Sequence, residues 1–572
     1  MIDNKFLIFS KLKINFSRLS IFSLLLILEL IHPTFSFSQW TNNTSINTPL
    51  CTAVNDQKDY SIASDTKGGA FIVWTDKRNN IVRSDIYAQR INSLGYCLWT
   101  SQGNPVCTNS ADQANPSTTE DGNGGVIVAW DDSINGDRDI YAQKLDSLGN
   151  ALWTINGIPI VIKPLKQKNV KIISDGAGGA IAVWEDSLAS YWDIYAQHIN
   201  SAGVQQWASS GVSVCKSILN QKNPKLVSDG LGGAYIVWQD KRSNIDYDIY
   251  AQHLNASGIP LWTINGVAIC NLGYKQTDPK VVSDGFGGAI IAWQDERFGG
   301  ISYDIYAQRI NSNGTIQWLS NGVAICTADS SQTSLDITSD NINGAIITWR
   351  DKRNGSYHDI YAQKINLDGT VAWQLNGIPI TTALLTQSNP NICGDGAGGA
   401  IISWQDSTIN NWDIKSQRVN ASGNVMWNIN GNFVSNATNF QTNPKNISDG
   451  KGGSIYVWQD FRNGIDDDIY SQHLTTNGVE GIFNEPFKNL FNVSIYPNPI
   501  IESSIISCSD ENINMNLWNG IVYSNSGKIV CIFNVGKSNN ILNVKNLANG
   551  IYFLKIVDNF KTVAILKFIV QK

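Results

Sequence analysis

The stretch SDGFGGAIIAWQD (residues 283–295) is followed, nine residues after its last aspartate, by DIYAQ (residues 304–308), and this pair of motifs recurs with small changes eight times. The marker of each unit is Trp-x-Asp, at Trp74/Asp76, Trp130/Asp132, Trp184/Asp186, Trp238/Asp240, Trp293/Asp295, Trp349/Asp351, Trp404/Asp406 and Trp458/Asp460. A second tryptophan follows in every unit but the last, at Trp99, Trp153, Trp207, Trp262, Trp318, Trp373 and Trp427. Trp40 supplies the missing eighth copy at the start of the chain. Sixteen of the nineteen tryptophans therefore belong to the repeat and are predicted to be architectural.

Each unit is predicted to hold four short strands, because apolar and polar residues alternate with period two between glycine-rich turns. In the fifth unit these strands are 279–283, 289–294, 304–310 and 315–318. The turn between the first two contains several glycines, which suits a backbone that needs positive φ. The sixth unit has Asn341 and Asn343 at glycine positions, and asparagine tolerates the left-handed region.

Eight four-stranded meanders indicate an all-β fold, namely an eight-bladed β-propeller followed by a small antiparallel β-sandwich. Burying one tryptophan ring contributes roughly 4–6 kcal/mol as an upper bound, so sixteen rings could hold the blades together. The alternatives are an open solenoid or a string of separate β modules. The spare tryptophan at the chain start favours closure, because a ring can pair its first strand with its last unit.

The repeat motif resembles the TolB-type and WD-like propeller repeats, in which a similar Asp-Ile-Tyr strand recurs. The resemblance covers the predicted propeller, residues 39–484, and implies a propeller fold while saying almost nothing about function. Residues 1–38 read as a signal peptide, with a basic start, the apolar stretch 21–31 and small residues near a cleavage site. An uncleaved membrane anchor is the alternative there. No later segment is apolar enough to span a bilayer.

The repeat stops after residue 478, and a short linker (485–491) leads into a strand-rich module at 492–572. This module opens with Tyr496, Pro497, Asn498 and Pro499, continues through Gly550 and Tyr552, and ends at Lys572. The order of these motifs is similar to the type A sorting domain of the type IX secretion system. The resemblance implies that the type IX machinery is a partner and that the protein is secreted or held on the outer-membrane surface. An ordinary β-sandwich binding module is the alternative.

Charge and motif content argue against several functions. The net charge is −6 with 16% charged residues and no basic stripe, so nucleic acid is not an expected partner. No catalytic elbow, zinc spacing or phosphate loop is present, and neither a catalytic residue nor a metal ligand is assigned. Asp/Arg pairs recur two residues apart and are predicted to order a loop, at Asp76/Arg78, Asp240/Arg242, Asp295/Arg297, Asp351/Arg353 and Asp460/Arg462. His198, His253 and His473 share one repeat position, so they should lie in different blades and not converge on a metal.

Cysteine and acidic residues leave two questions open. Five cysteines occupy the same place in successive units and should lie too far apart to bridge: Cys51, Cys107, Cys215, Cys270 and Cys326. Cys508 and Cys531 share the last module and could form a disulfide. No cofactor is expected, although calcium at Asp466, Asp467 and Asp468 is an alternative, because oxygen ligands suit it.

The loops between the second and third strands vary most among the units, and five of them carry an aromatic residue just before the third strand: Trp192, Tyr247, Tyr303, Tyr357 and Trp412. Aromatic side chains on variable loops suit sugar or protein binding, whereas local packing of each ring is the plainer interpretation. The sequence predicts a non-catalytic binding or scaffold protein with a glycan or protein ligand. A structural or adhesion spacer, or a propeller hydrolase acting on polysaccharide, are the alternatives.

Overall fold

The computed structural model describes residues 40–41, 43–188, 190–300, 302–342, 344–479, 493–508, 518–524, 529–535, 540–558 and 561–572. The predicted signal peptide (1–38) and linker (485–491) lie outside these residues. Strands are the regular elements of the described chain, and none of its segments forms a helix long and apolar enough to cross a membrane.

The strands of the repeat region, in chain order, are β1 (Thr48–Cys51), β2 (Gln57–Ser64), β3 (Ala70–Asp76), β4 (Asp85–Ile91), β5 (Asn104–Cys107), β6 (Gln113–Glu120), β7 (Val126–Asp132), β8 (Asp139–Leu145), β9 (Ile158–Val161), β10 (Gln167–Ser174), β11 (Ala180–Leu188), β12 (Tyr191–Ile199), β13 (Val212–Cys215), β14 (Gln221–Ser228), β15 (Ala234–Asp240), β16 (Asp248–Leu254), β17 (Val267–Cys270), β18 (Gln276–Ser283), β19 (Gly288–Asp295), β20 (Asp304–Asn311), β21 (Val323–Cys326), β22 (Gln332–Ser339), β23 (Gly344–Asp351), β24 (Asp359–Asn366), β25 (Ile378–Thr381), β26 (Gln387–Gly394), β27 (Ala400–Thr408), β28 (Asn411–Val419), β29 (Asn432–Ser435), β30 (Gln441–Ser448), β31 (Ser454–Asp460) and β32 (Asp468–Leu474).

These strands form eight four-stranded antiparallel sheets, which are the blades of a closed propeller. Blade 1 is β2–β5, and each following group of four consecutive strands makes the next blade, up to β26–β29 as blade 7. Blade 8 combines β30, β31 and β32 with β1 from the start of the repeat region. The first strands contact one another in sequence around the centre, and β2 contacts both β6 and β30, so the ring has no gap. The predicted closure is confirmed.

The sequence misplaced the fourth strand of each blade. In blade 5 it is β21, and the predicted strand 315–318 makes only one isolated bridge, between Ile310 and Ile316. Gln308 explains the difference, because its Oε1 accepts from the backbone N–H of Trp318 at 3.0 Å and holds that segment as a loop. The first strand also begins earlier than predicted, because a bulge at Asp278 (φ 52°) interrupts the alternation between two paired stretches.

The two sets of tryptophans serve two different joints. Those of Trp-x-Asp are fully buried and pack against apolar residues of the preceding blade. Those of the second set follow the third strand, and each indole N–H donates at 2.8–3.3 Å to a backbone carbonyl of the next blade. Trp40 belongs to blade 8 by this criterion, because its indole donates to the carbonyl of Ser93 in blade 1 at 3.0 Å. Its predicted role as the eighth copy is therefore confirmed.

The C-terminal module contains β33 (Val493–Tyr496), β34 (Ser503–Cys508), β35 (Trp518–Ser524), β36 (Ile529–Val535), β37 (Ile541–Asn543), β38 (Gly550–Asp558) and β39 (Lys561–Val570). They form a three-stranded sheet, β33-β34-β37, and a four-stranded sheet, β36-β35-β38-β39. Both sheets bury apolar side chains in one core, for example Ile506 and Leu542 from the first sheet and Trp518 and Leu554 from the second. The module is therefore a small antiparallel sandwich, as predicted.

Candidate functional site

The two ends of the propeller differ in how the chain turns there. In blade 1 the start of the first strand pairs with the end of the second, Gln57 opposite Asp76, and Asp76 in turn pairs with Asp85. The fourth strand ends near the same level, because Cys107 pairs with Ile86. The connections between second and third strands and the connections between blades therefore emerge at one end, the loop face. The glycine turns emerge at the other end, the turn face.

The repeated Asp/Arg pair at the loop face is a structural joint between blades. In blade 6, Asp351 Oδ2 accepts from the indole of Trp349 at 2.7 Å and from Arg353 Nη2 at 2.6 Å. Arg353 Nη2 also lies 3.0 Å from the sulfur of Cys326 in blade 5, and its guanidinium lies 3.9 Å from the ring centre of Tyr361. Four of the five repeated cysteines are thus buried thiols beside arginines, and burial raises the pKa of Cys326 to about 12.

Three blades lack this arginine and fill its place differently. In blade 2, Asn109 Nδ2 donates to Asp132 Oδ2 at 2.9 Å. In blade 3, Lys163 Nζ lies 2.6 Å from Asp186 Oδ2. In blade 7, Lys415 Nζ lies 2.8 Å from Asp406 Oδ2. The buried aspartate therefore keeps a donor in each of these blades, although the donor comes from a different point of the chain.

The histidines occupy the turn face and pair within their own blades. His198, His253 and His473 each place Nε2 at 2.8–2.9 Å from the aspartate of the adjacent glycine turn, namely Asp175, Asp229 and Asp449. In other blades arginine or lysine makes the same contact, as Arg90 does with Asp65 at 3.0 Å. Among the described residues, no group of three or more histidine, cysteine, aspartate or glutamate side chains comes together as metal ligands would.

The acidic loop of blade 8 has protein partners for each carboxylate. Asn463 Nδ2 donates to Asp466 Oδ1 at 2.6 Å and to Asp468 Oδ2 at 3.1 Å, and Asp467 pairs with Lys58 Nζ at 2.9 Å. Burial, and then the charges of Asp466 and Asp460, raise the pKa of Asp468 to about 7. Calcium at this loop stays a prediction. In the sandwich, Cys508 and Cys531 are thiols and not a disulfide.

The five aromatic residues lie at the loop face, but two of them are not in loops. Trp192 is in β12 and Trp412 is in β28, because the connections of blades 3 and 7 are short and the paired strands continue to Ser187↔Trp192 and Ser407↔Trp412. Tyr247, Tyr303 and Tyr357 precede their third strands in longer loops, as expected. Tyr357 is half-exposed at 50%, and the other four rings are half-buried.

One of these aromatics has charged neighbours that the sequence did not single out. Lys168 Nζ lies 4.3 Å from the ring centre of Trp192 and 4.0 Å from Glu185 Oε2. Glu185 Oε1 accepts from the backbone N–H of Asn223 in blade 4 at 2.8 Å. Burial, and then the charge of Glu185, raise the pKa of Tyr247. These five residues (Lys168, Glu185, Trp192, Asn223 and Tyr247) define the blade 3–4 cluster, beside the channel at the loop face.

A sequence signal for this cluster does exist. The middle residue of Trp-x-Asp is Thr, Gln or Arg in six units, and only Asp131 and Glu185 are acidic there. Asp131 is fully buried and accepts from Asn115 Nδ2 at 2.7 Å and from the N–H of Asn169 at 3.0 Å. Both carboxylates thus accept backbone N–H groups of the next blade's bulge.

The sorting-motif residues converge on the last strand of the sandwich. Asn498 Nδ2 donates to the carbonyl of Lys567 at 3.1 Å, and Asn498 Oδ1 accepts from the N–H of Ile569 at 2.9 Å. Tyr552 stacks on Phe568 with ring centres 5.7 Å apart, and Lys572 Nζ donates to the carbonyl of Lys545 at 2.5 Å. Tyr496, Pro497, Asn498 and Pro499 are exposed, and Tyr496 retains 77% of its accessible surface. Gly550 begins the adjacent strand β38.

Comparison with known proteins identifies this module. Residues 494–571 match the family described as the secretion system C-terminal sorting domain. The module is thus a type IX secretion sorting domain, and the chain is an exported β-propeller protein, secreted or held at the cell surface. No curated protein is similar to the chain in sequence.

Several solved structures share a low overall similarity with the chain. An α-L-arabinanase of Penicillium chrysogenum is 11% identical, with 64% of this chain and 94% of that chain covered and a TM-score of 0.33. A polysaccharide lyase of family PL25, an ulvan lyase, is 9% identical over 77% and 96%, with a TM-score of 0.39. A protein of unknown function from Dyadobacter fermentans is 9% identical over 75% and 98%, with a TM-score of 0.37.

Proposed function

We propose that this protein is a non-catalytic binding protein, exported by the type IX machinery, that holds a glycan at the blade 3–4 cluster. The observation that carries the proposal is the surroundings of Trp192. Its half-buried indole has an ammonium group 4.3 Å from the ring centre, and its Nε1 has no acceptor among the described residues. An aromatic face beside a lysine and a glutamate can stack on a sugar ring and hydrogen-bond its hydroxyls.

The two acidic residues at the middle position of Trp-x-Asp support binding over hydrolysis. Glycoside hydrolysis generally requires two carboxyl groups that flank a scissile bond. Asp131 is fully buried and Glu185 is 3% exposed, and both accept N–H groups of a neighbouring blade. These hydrogen bonds indicate that both carboxylates have a structural role in joining neighbouring blades.

The exposed turn of the sorting domain supports the export part of the proposal. Residues 496–499 form a surface feature whose asparagine is tied on both sides to the last strand. A rigid, exposed motif of this kind suits recognition by a transport machinery, because little conformational entropy is lost on binding.

Blade 7 supplies a matched control for the binding test. Trp412 occupies the strand position of Trp192, but the residues equivalent to Lys168 and Glu185 are Ser388 and Gln405. We expect Trp192→Ala and Lys168→Met to weaken retention on a polysaccharide array by about tenfold or more, as loss of a central contact does, and Trp412→Ala to change it little.

The exported protein should be screened on arrays of neutral and acidic polysaccharides and of proteins, with melting temperatures recorded for each variant. Equal retention by wild type and both blade 3 variants would refute the site. Retention on proteins alone would refute the glycan assignment.

A further inference from the structure

The fifth residue of each first strand lies at the central channel, and it varies among the blades, unlike the tryptophan and the aspartate of Trp-x-Asp. In blade order it is Ser61, Ser117, Lys171, Lys225, Lys280, Asp336, Asn391 and Lys445. Three lysines therefore stand in consecutive blades 3, 4 and 5. They line one cavity together with Ser117 and Asp336.

A side-chain oxygen at this position accepts a hydrogen bond from a backbone N–H of the next blade. Ser61 Oγ accepts from the N–H of Thr118, Ser117 Oγ from that of Ile172, and both distances are 3.2 Å. Asp336 Oδ2 and Asn391 Oδ1 likewise accept from the N–H groups of Ile392 and Asn446, at 3.3 and 2.7 Å. In these four pairs of neighbouring blades the sixth residue of the first strand thus donates to the fifth side chain of the preceding blade.

Lysine cannot perform this task, because an ammonium group only donates. After Lys171, Lys225 and Lys280, the equivalent N–H groups belong to Leu226, Val281 and Ile337, which also line the cavity. The N–H of Ile337 is accepted by the carboxylate of Asp336, whereas the described residues provide no side-chain acceptor for the N–H groups of Leu226 and Val281. Backbone donors and ammonium groups therefore share one space without matching acceptors.

The ammonium groups themselves have few partners. Lys225 Nζ donates to Asn223 Oδ1 at 2.5 Å, and Lys280 Nζ lies 3.8 Å from Asp278 Oδ1. Lys171 Nζ has no hydrogen-bond partner among the described residues. Asp336, the carboxylate in the cavity wall, already accepts from Asn391 Nδ2 at 2.7 Å. The wall carries three cations against one anion.

Burial and the neighbouring ammonium groups act against the charged forms of Lys171 and Lys225. Burial, and then the charges of Lys280 and Lys171, lower the pKa of Lys225 to about 7. Burial also lowers the pKa of Lys171. A buried charge is ordinarily paired, so an anion would relieve this arrangement.

The space is large enough for such a ligand. The cavity has a volume of about 210 Å³. At about 30 Å³ per water molecule it holds about seven waters, which is room for a tetrahedral oxyanion and part of its hydration shell.

We infer that the channel binds a small tetrahedral oxyanion, such as phosphate or sulfate, through Lys171, Lys225 and Lys280 and the backbone N–H groups of Leu226 and Val281. The same chemistry would accept a free anion or the ester group of a larger ligand. The proposed anion ligands are not members of the blade 3–4 cluster, but the two sites adjoin, because Lys225 Nζ donates to Asn223 of that cluster.

The test measures binding of inorganic phosphate and of sulfate to the exported protein at pH 6 by titration calorimetry, with sodium chloride holding ionic strength constant. We expect saturable binding and an increased melting temperature with phosphate or sulfate, and a much smaller effect with acetate. Lys225→Met should weaken binding about tenfold, because a charge-assisted hydrogen bond is lost, and Lys171→Met should act in the same direction.

Lys222→Met is the matched control, because Lys222 is on the same strand as Lys225 but does not line the cavity. Circular dichroism checks that every variant is folded. Binding that survives in both Lys171→Met and Lys225→Met, or that acetate and chloride reproduce, would overturn the inference. A parallel titration with glucose 6-phosphate distinguishes the sources, since binding of inorganic phosphate alone assigns the site to the free anion.

Discussion

The Trp-x-Asp joint and the channel position are both repeated eight times, yet they follow opposite rules. At the joint the same tryptophan and aspartate recur in every blade, and the aspartate keeps a donor even where arginine is missing, as Lys163 and Lys415 show. At the channel position the residue differs between blades and is serine, lysine, aspartate or asparagine. The residues that recur in every blade are therefore those whose hydrogen bonds are satisfied by other protein groups inside the fold.

The difference also shows where a ligand could gain energy. A buried group whose partners are all protein atoms has nothing left to offer a ligand, whereas a half-buried group without a partner has its bonding capacity unused. Lys171 and the indole of Trp192 are of the second kind. Substitutions in the two regions should therefore change the free energy of unfolding in opposite directions.

The largest effect is expected at the joint. Trp293→Ala removes a fully buried ring whose Nε1 donates to Asp295 Oδ2 at 2.7 Å. We expect the free energy of unfolding to fall by about 3–5 kcal/mol, as for other large-to-small substitutions in cores. Trp192→Ala is the comparison, with a loss below about 1 kcal/mol, because that ring is half-buried. Denaturant unfolding measures both, and equal losses would contradict the division between architectural and ligand-facing tryptophans.

A smaller effect is expected when the charge partner of the joint is removed. Arg353→Met leaves Asp351 fully buried with the indole of Trp349, the thiol of Cys326 and a local backbone N–H as donors. We expect a loss of about 2–3 kcal/mol, below the range for a fully buried pair because the arginine side chain keeps 18% exposure. Lys352→Met, at the exposed neighbouring position, is the control. A loss no larger than that of the control would show that the guanidinium is dispensable.

The smallest effect, and the only stabilising one, is expected in the channel. The folded-state pKa of Lys225 is about 7, below the 10.5 of an exposed lysine. The unfolded chain therefore binds more protons between about pH 7 and pH 10, and in this window Lys225 makes stability rise with pH. Lys225 faces Lys171, Lys280, Asp278 and Glu185.

In chloride buffer at pH 6, Lys225→Met should thus increase the free energy of unfolding on the order of 1 kcal/mol, and the rise toward pH 9 should become smaller. Melting temperatures at the two pH values measure this, with Lys222→Met as the control. An unchanged pH dependence in Lys225→Met would mean that its ammonium group is not strained in the folded state.

The repeat alone predicted the fold and its closure. Its tryptophans recur at fixed spacing, and Trp40, at the start of the chain, supplies the second tryptophan that the last unit lacks. The fourth strand was wrong, since the alternation around Trp318 reflects a loop held by Gln308 and not a paired strand. The turn chemistry was right where it can be checked, and Asn341 has a φ of 56°.

The candidate site was only partly visible in the sequence. Trp192 and Tyr247 stood out as aromatics on variable connections. Lys168 and Glu185 did not, because Lys168 joins them only through the bulge and register of β10 against β11. The channel lysines were missed for a similar reason: their strands are far apart in sequence, and only ring closure brings consecutive first strands around one cavity.

Blade 8 also imposes an order of assembly. Its outer strand, β1, comes first in the repeat region, and its partner β32 comes last. Until Asp468–Leu474 is available, β1 has no neighbour, and the hydroxyl of Tyr60 cannot reach the carbonyl of Val457, 2.7 Å away in the finished ring. A chain cut short before that point would keep unpaired strand edges, which attract aggregation and proteolysis. The propeller therefore closes only when the whole repeat region is present, because blade 8 needs strands from both of its ends.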